Sequence, residues 1–284
     1  MTTNERGLRI LHLSDTHLFG DDTLHHGAVD TMAALRRVLD RAAVLDAVDV
    51  VVASGDLSDD GSAESYRRLR AAIDPWAAAR GASVVYAMGN HDLRDGFEEV
   101  IGERTGVTTV AGHRIVHLDS SVPGFGYGEL GPEQLNWLRE TLTEPATHGT
   151  VVVVHHPPVS ASTSLLATLE LQNPSALLDV CAAADVRLIL SGHYHHSLAT
   201  DAAGIPVIVA PGITNTSDVT APAGTERATI GSGFALIDLT DDRPRTTFVS
   251  APSADDGTVL FDLDAAAIQR IAEESGPQRE SAVR

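Results

Sequence analysis

The stretch LILSGHYHHS (residues 188–197) is an apolar run that ends at a serine and a glycine and continues into three histidines. Such a run predicts a buried β-strand, and the glycine predicts the turn that ends it. Four other apolar runs of the chain also end in carboxylate, amide or imidazole side chains. The five runs deliver Asp15 and His17; Asp56 and Asp59; Asn90, His91 and Asp92; His155 and His156; and His193, His195 and His196. We expect these side chains to meet at the carboxyl ends of the strands, where open α/β sheets build their binding sites.

Helical patterns alternate with the first apolar runs. Residues 29–47 and 63–80 are rich in alanine and leucine, and they separate the strands predicted at "LRILHLS", "DVVVASG" and "SVVYAMG". This alternation predicts βαβ units and therefore an α/β fold. Two more helices are predicted at "GPEQLNWLRETL" and "NPSALLDVCAAA". The last four predicted strands follow one another without helices, so part of the sheet system is expected to be antiparallel.

The chain shows no obvious division into domains. It has no linker rich in proline, serine or glycine, and no internal repeat of about 20 to 50 residues. We therefore predict a single domain over residues 1–275, which ends in a short amphipathic helix, and a flexible C-terminal tail over residues 276–284. The polar stretch TNTSDVTAPAGTERATIGSG (residues 214–233) is predicted to be one long loop.

The composition excludes several classes of function. The formal net charge of −19 would repel long nucleic acid. All 20 cationic side chains are arginines, which excludes Walker-type phosphate loops and lysine Schiff-base chemistry. The single cysteine, Cys181, excludes an intrachain disulfide and is expected to be a buried, inert thiol. Because no secretory signal or membrane-spanning run is recognisable, we expect a cytoplasmic protein with no membrane partner.

Each polar residue at a strand end has an ordinary structural explanation when taken alone. Asp15 could cap a helix, Asp56 and Asn90 follow glycines as turn residues often do, and His155 could be an interior histidine. Together, however, two carboxylates, an amide and several imidazoles would be costly to bury unless a cation satisfied them. Mixed nitrogen and oxygen donors favour iron, manganese, zinc or cobalt. About seven donors exceed the needs of one ion, so two ions are predicted, with Asp56 as the candidate bridge.

The motifs D-x-H, G-D, G-N-H-D, H and G-H-x-H occur in this order and resemble those of the calcineurin-like binuclear metallophosphoesterases. The resemblance covers roughly residues 8–250. Within that family, "DTHL", "GDLSD", "GNHD", "LDSSVPG", "GELGPEQLNWL" and "HHPP" are similar to the class III 3′,5′-cyclic-nucleotide phosphodiesterases of actinobacteria. The resemblance implies a four-layer αββα sandwich of two mixed β-sheets flanked by helices.

The resemblance also implies a role for each polar residue. One ion would be held by Asp15, His17 and His195 and the other by Asn90, His155 and His193, with Asp56 bridging them. Asn90 and His91 would contact the substrate. His91 would act as general acid, and Asp59 would pair with His91 and raise its pKa. Asp59 could instead be a helix N-cap or loop residue.

These roles predict an enzyme that hydrolyses 3′,5′-cyclic nucleotides to nucleoside 5′-monophosphates. A hydroxide that bridges the two ions would attack phosphorus, while His91 would protonate the departing ribose oxygen. Two alternatives stay open: a broad-specificity or glycerophosphodiester phosphodiesterase or a phosphatase of the same fold and, more remotely, a non-catalytic scaffold. Contacts to the base are expected from "FGDDTLHHG", "VSASTSLLATLELQNP" or "TNTSDVT". The expected partner is a small phosphodiester, and the resemblance allows a homodimer.

Overall fold

The computed structural model describes residues 7–240 and 243–278. The strands are β1 (Leu8–Leu13), β2 (Val50–Ala53), β3 (Ser83–Tyr86), β4 (Gly106–Val110), β5 (His113–Leu118), β6 (Thr150–Val154), β7 (Val186–Ser191), β8 (Leu198–Ala202), β9 (Ile205–Val209), β10 (Asn215–Ser217), β11 (Glu226–Ile230), β12 (Gly233–Leu239), β13 (Arg245–Ser250) and β14 (Val259–Leu263). The helices are α1 (Thr31–Ala42), α2 (Ala63–Ala78), α3 (Arg94–Val100), α4 (Pro132–Thr141), α5 (Pro174–Ala182) and α6 (Ala265–Ser275). Within the described ranges, no helix is both long and apolar enough to cross a membrane.

Most strands belong to two large sheets. The five-stranded sheet has the order β13-β12-β1-β2-β3, in which β1, β2 and β3 are parallel and β12 and β13 are antiparallel. The six-stranded sheet has the order β4-β5-β6-β7-β9-β8, with four parallel strands at its centre and antiparallel β4 and β8 at its edges. β7 and β9 are parallel because β8 reverses the chain between them. Both sheets are therefore mixed, as predicted.

Three apolar cores separate four layers. In the middle core, Ile10 and Val52 of the five-stranded sheet pack with Val153 of the six-stranded sheet. Helices α1 and α2 cover the outer face of the first sheet through residues such as Leu35. Helices α4 and α5 cover the outer face of the second sheet through residues such as Leu177. Because both faces of β6 are buried, its sequence is a continuous apolar run without alternation. The predicted four-layer αββα sandwich is confirmed.

The prediction of one long loop over residues 214–233 was wrong. β10 and β11 lie in this segment and pair antiparallel, and β14 joins β11 to complete a third, three-stranded sheet. The segment is rich in threonine, serine and glycine, which are typical of loops, and its strands are short. Strand pairing rather than composition determines its structure. The short elements β4, β8, β14 and α3 were also not predicted from the sequence.

The predicted helices are present with somewhat different ends. Helix α1 begins after Asp30, whose side chain accepts a hydrogen bond of 2.8 Å from the backbone nitrogen of Ala33. It ends at Ala42 rather than near residue 47. Helix α6 is the predicted C-terminal amphipathic helix. Most of the predicted tail, residues 279–284, lies outside the described residues, and the single domain over residues 1–275 stays a prediction.

Candidate metal centre

The polar residues predicted from the strand ends converge at the carboxyl edges of the two large sheets. Asp15 and His17 follow β1, Asp56 follows β2, Asn90 follows β3, His155 follows β6, and His193 and His195 follow β7. β1, β2 and β3 belong to one sheet, and β6 and β7 belong to the other. The residues therefore cluster where the two sheets meet, and Asp56, Asn90 and His193 line one cleft there.

Five of the candidate ligands have an unusual backbone conformation. The φ angles are 55° for Asp15, 42° for His17, 48° for Asp56, 67° for His193 and 51° for His195. They are five of the eight non-glycine residues with positive φ in the described chain. Each such conformation costs about 1–3 kcal/mol and persists only where the surrounding structure enforces it. Backbone strain is therefore concentrated at this cluster.

Glycines beside the ligands allow the strand ends to approach closely. Gly55 has φ +113°, and a Cβ atom there would lie 2.4 Å from His155 Nδ1. A Cβ atom on Gly192 would lie 1.8 Å from Ser14 Oγ. Any larger residue at either position would push two ligand segments apart.

The first ligand group consists of Asp15, His17, Asp56 and His195, whose ligand atoms all lie within 4.8 Å of one another. The Nε2 atoms of His17 and His195 are 3.3 Å apart. His195 Nε2 is also 3.3 Å from Asp15 Oδ1. Ring nitrogens that face each other between two buried carboxylates are well satisfied by a cation.

The second ligand group consists of Asp56, His155 and His193. His155 Nε2 lies 3.3 Å from Asp56 Oδ2. Although both atoms are buried, His155 Nε2 and Asn90 Oδ1 have no hydrogen-bond partner among the described residues. Asp56 belongs to both groups, which is the position that a bridging carboxylate requires. The donors and their unpartnered atoms thus fit two cations.

In three of the candidate imidazole ligands, a hydrogen bond holds the ring nitrogen that points away from the cluster. His17 Nδ1 donates to Asp59 Oδ1 at 2.9 Å, and His155 Nδ1 donates to the carbonyl of Ser54 at 2.9 Å. His193 Nε2 donates to the carbonyl of Leu169 at 3.0 Å. Burial lowers the pKa of His193 to about 3, so this ring is neutral near pH 7. Each bond fixes the tautomer and aims the other ring nitrogen into the cluster.

Asp59 Oδ1 is shared by three imidazoles. It accepts the 2.9 Å bond from His17 and lies 3.3 Å from His91 Nδ1 and 3.5 Å from His25 Nδ1. The predicted contact between Asp59 and His91 is present. Asp59 is nevertheless closer to His17, a candidate ligand, so it connects the proposed acid to the metal centre. The sequence predicted neither this double contact nor the contact of Asp59 with His25.

His91 lies over the cluster with a half-exposed side chain. Its backbone N–H donates to Asp56 Oδ1 at 2.8 Å. Desolvation lowers the pKa of His91, but the negative charges of Asp56 and Asp59 outweigh it and raise that pKa to about 9. An imidazole that is protonated near neutral pH can donate a proton to a leaving group.

Asp92, the last residue of "GNHD", also supports the centre, although the sequence reasoning gave it no role. Its carboxylate accepts hydrogen bonds from the backbone nitrogens of Leu57 at 3.1 Å, Ser58 at 2.9 Å and Gly89 at 2.8 Å. Burial and the charge of Asp56 raise the pKa of Asp92 to about 7. The bonds join the loops after β2 and β3, which carry Asp56 and Asn90.

The cleft beside the ligands has a second wall. The three segments expected to contact a base all contribute to it, through His25, His26, Leu165, Leu166, Leu169, Asn215 and Ser217. Glu226 and Phe261 line the cleft as well. Neither was predicted, because neither belongs to a motif and their strands, β11 and β14, were not recognised.

A four-layer α/β sandwich with two ligand groups that share a carboxylate defines a class of metal-dependent phosphoester hydrolases. Residues 8–197 match the model of the Calcineurin-like phosphoesterase family, and the chain belongs to that family.

Known relatives agree with this assignment. A probable cyclic nucleotide phosphodiesterase of Rhodococcus erythropolis is 41% identical over 242 residues, which cover 82% of this chain and 80% of that protein. A cAMP/cGMP dual specificity phosphodiesterase of Mycobacterium tuberculosis is 40% identical over 242 residues, which cover 82% of this chain and 76% of that protein. A dimetal phosphatase structure from Danio rerio has a TM-score of 0.55 at 16% identity, over 85% of this chain and 98% of that one. This last similarity supports the fold alone.

Proposed function

We propose that this protein is a metal-dependent phosphodiesterase that hydrolyses 3′,5′-cyclic nucleotides to nucleoside 5′-monophosphates. The observation that carries the proposal is the pair of ligand groups joined through Asp56, with unpartnered buried atoms on His155 and Asn90 and a cleft that Asn90 lines. The names and high coverage of the two bacterial relatives support the choice of substrate. The function proposed from the sequence is therefore retained.

The metal site is proposed to take two transition-metal ions, either divalent or a divalent–trivalent pair. One ion would be held by Asp15, His17 and His195, and the other by Asn90, His155 and His193. Asp56 would bind both ions. Iron, manganese, zinc and cobalt suit these donors. Such ions, when bound, lower the pKa of water and neutralise charge on the phosphoryl oxygens. Two ligand carboxylates leave two divalent ions with a net positive charge, so a phosphate can bind despite the chain's charge of −19.

His91 is proposed as the general acid. Its Nδ1 faces Asp59, which leaves Nε2 free to protonate the ribose oxygen that departs from phosphorus. Asp59 holds the ring in this orientation and stabilises its protonated form. Asn90 is proposed to bind a cation through its Oδ1, which is buried without a hydrogen-bond partner in the described structure, and to donate a hydrogen bond from its Nδ2 to the phosphate.

We propose a small phosphodiester as the substrate and exclude long nucleic acid on the basis of the net charge of −19. A cytoplasmic location, the lack of a membrane partner and a homodimeric assembly stay predictions.

The test begins with metal analysis of the purified protein by mass spectrometry. Hydrolysis of 3′,5′-cAMP is then measured with and without a chelator, beside 2′,3′-cyclic nucleotides, glycerophosphodiesters and phosphomonoesters. We expect two ions per chain and the highest kcat/KM on a 3′,5′-cyclic nucleotide. Tight metal binding with rapid turnover of a glycerophosphodiester and negligible turnover of cAMP would instead support the second enzyme class. A protein without metal and without hydrolysis of any phosphoester would support the scaffold.

A further inference from the structure

The cleft is lined by two chemically different sets of residues. One set presents the nitrogen and oxygen donors of the candidate metal centre. The other set combines the apolar and aromatic side chains of Leu165, Leu166, Leu169 and Phe261 with the polar Asn215, Ser217 and Glu226. A ligand that contacts both sets needs an anionic group and a flat, largely apolar group with a polar edge on one small molecule. A nucleotide has this distribution.

The pairing register of the three-stranded sheet explains why its residues face the cleft. Ser217 lies opposite Ala228, and Ala228 lies opposite Phe261. Directly opposite residues and alternate residues of a strand share one face of a sheet. The face defined by Ala228 and Phe261 therefore also carries Asn215, Ser217 and Glu226. All four of the polar and aromatic residues on this inner face line the cleft.

The opposite face of the same sheet is turned to solvent. There, Arg227 and Asp262 form an ion pair of 2.9 Å with side chains that are 34% and 48% exposed. Asp262 is adjacent to Phe261 in sequence but points away from the cleft. This alternation provides a matched control position on the same strand.

Contacts fix the position of the three-stranded sheet relative to the segment that carries Ser164 and Leu165. Glu226 Oε2 accepts a hydrogen bond of 3.0 Å from the backbone nitrogen of Leu165. The backbone nitrogen of Gly224 donates to Ser164 Oγ at 3.1 Å. The Phe261 ring packs against the His26 ring, with centroids 5.2 Å apart and an interplanar angle of 58°. The distance between the three-stranded sheet and the Leu165 segment and the position of the Phe261 ring are thus set without a ligand.

We propose that the inner face of the three-stranded sheet selects the base of a bound nucleotide. Phe261 supplies the aromatic surface on which the base stacks, and Asn215 and Ser217 offer hydrogen bonds to its polar edge. The proposal rests on the proposed function, because it assigns the base-binding half of the same cleft. These residues lie outside residues 8–197, so the family model does not include them.

The test measures binding rather than turnover. Calorimetry compares AMP with ribose 5-phosphate, which lacks the base, on the manganese-loaded protein. We expect the unaltered protein to bind AMP about tenfold more tightly than ribose 5-phosphate. Phe261→Leu, which keeps apolar bulk but removes the ring, should abolish most of this preference and leave the affinity for ribose 5-phosphate unchanged. Asp262→Ala, on the outer face of the same strand, should retain the preference.

Two results would overturn the proposal: equal affinities of AMP and ribose 5-phosphate for the unaltered protein, or equal weakening of both ligands by Phe261→Leu. The manganese content of each variant shows that the metal centre is intact, and Phe261→Tyr, which keeps a ring, should keep the preference. A protein that prefers AMP but does not hydrolyse cAMP would overturn the proposed function and still support this base site.

Discussion

The metal centre and the three-stranded sheet form two walls of one cleft, but they are built in different ways. The candidate ligands lie on turns, and five of them have left-handed backbone conformations. The three-stranded sheet has regular pairing with one shift in register, between Ala228 and Thr229. A site that must hold cations requires donors at fixed positions, even at a cost in backbone strain. A surface that accepts an organic group needs mainly shape and apolar area, which ordinary strands provide.

This difference predicts that the two walls respond differently to substitution. Changes at the metal centre should remove activity on every phosphodiester. Changes on the three-stranded sheet should alter the choice among substrates and leave the chemistry intact.

The largest effect is expected from Asp56→Asn. The substitution keeps the size of the side chain but removes the charge shared by both ligand groups. Metal content should fall below two ions per chain, and kcat/KM on bis(4-nitrophenyl) phosphate should fall by more than about a hundredfold, since even outer-shell changes cost about 10- to 100-fold. Asp95→Asn, an exposed carboxylate on α3, is the control and should change neither quantity. If Asp56→Asn still bound two ions tightly, Asp56 would not be the carboxylate that bridges them.

His91→Ala should lower turnover of cAMP by about 10²- to 10⁴-fold, the usual contribution of general acid catalysis, with metal content nearly unchanged. The raised pKa of His91 means that its protonated form is present at neutral pH and is lost as pH rises through that value. In the unaltered enzyme, kcat/KM should therefore fall on the alkaline side, and His91→Ala should lose this alkaline limb. Loss of metal together with turnover would show that His91 is a ligand instead.

The Asp59→Asn variant tests which of its contacts matters more. Because Asp59 accepts the bond from His17, the variant should weaken metal affinity by about 10- to 100-fold. It should also move the alkaline limb to lower pH, since a negative charge that raises the pKa of His91 is removed. Metal titration and the pH profile at saturating metal separate the two effects. A shifted pH profile with unchanged metal affinity would mean that Asp59 serves His91 alone.

The contrast between the walls also explains how much the sequence revealed. The convergence of the candidate ligands could be predicted because each stands shortly after a buried apolar strand, and glycines such as Gly55 mark the close approach of those strand ends. The positions after the strands thus predict that these side chains meet, whereas the four-layer fold and the assignment of the residues to two ions came from the family resemblance. Phe261 and Glu226 carry no such signal, because they reach the cleft only through the pairing of β11 with β14. Likewise, the contact of Asp59 with His17 spans 42 residues and depends on tertiary packing.

The smallest effect is expected at Glu226. Burial raises the pKa of this carboxyl, so the folded protein disfavours its ionised form. Its contribution to stability is therefore greatest below the pKa of the unfolded chain and is lost as pH rises through the raised value. Glu226→Gln keeps an oxygen that accepts the Leu165 N–H bond and has no charge to bury. We expect the variant to match the unaltered protein near pH 4 and to have a slightly higher Tm near pH 8.

Thermal unfolding is measured for both proteins at each pH. The difference between their Tm values removes the effects of metal loss and of other titrating groups, because both proteins share them. Glu226→Ala is the informative partner, because it leaves the Leu165 N–H without its acceptor and should lower stability by about 1–3 kcal/mol at every pH. If Glu226→Gln were instead less stable at pH 8, the charge of Glu226 would be stabilised within the cleft. In that case Glu226 would belong with the charged residues of the metal centre, and the three-stranded sheet would not be a separate surface that only selects the substrate.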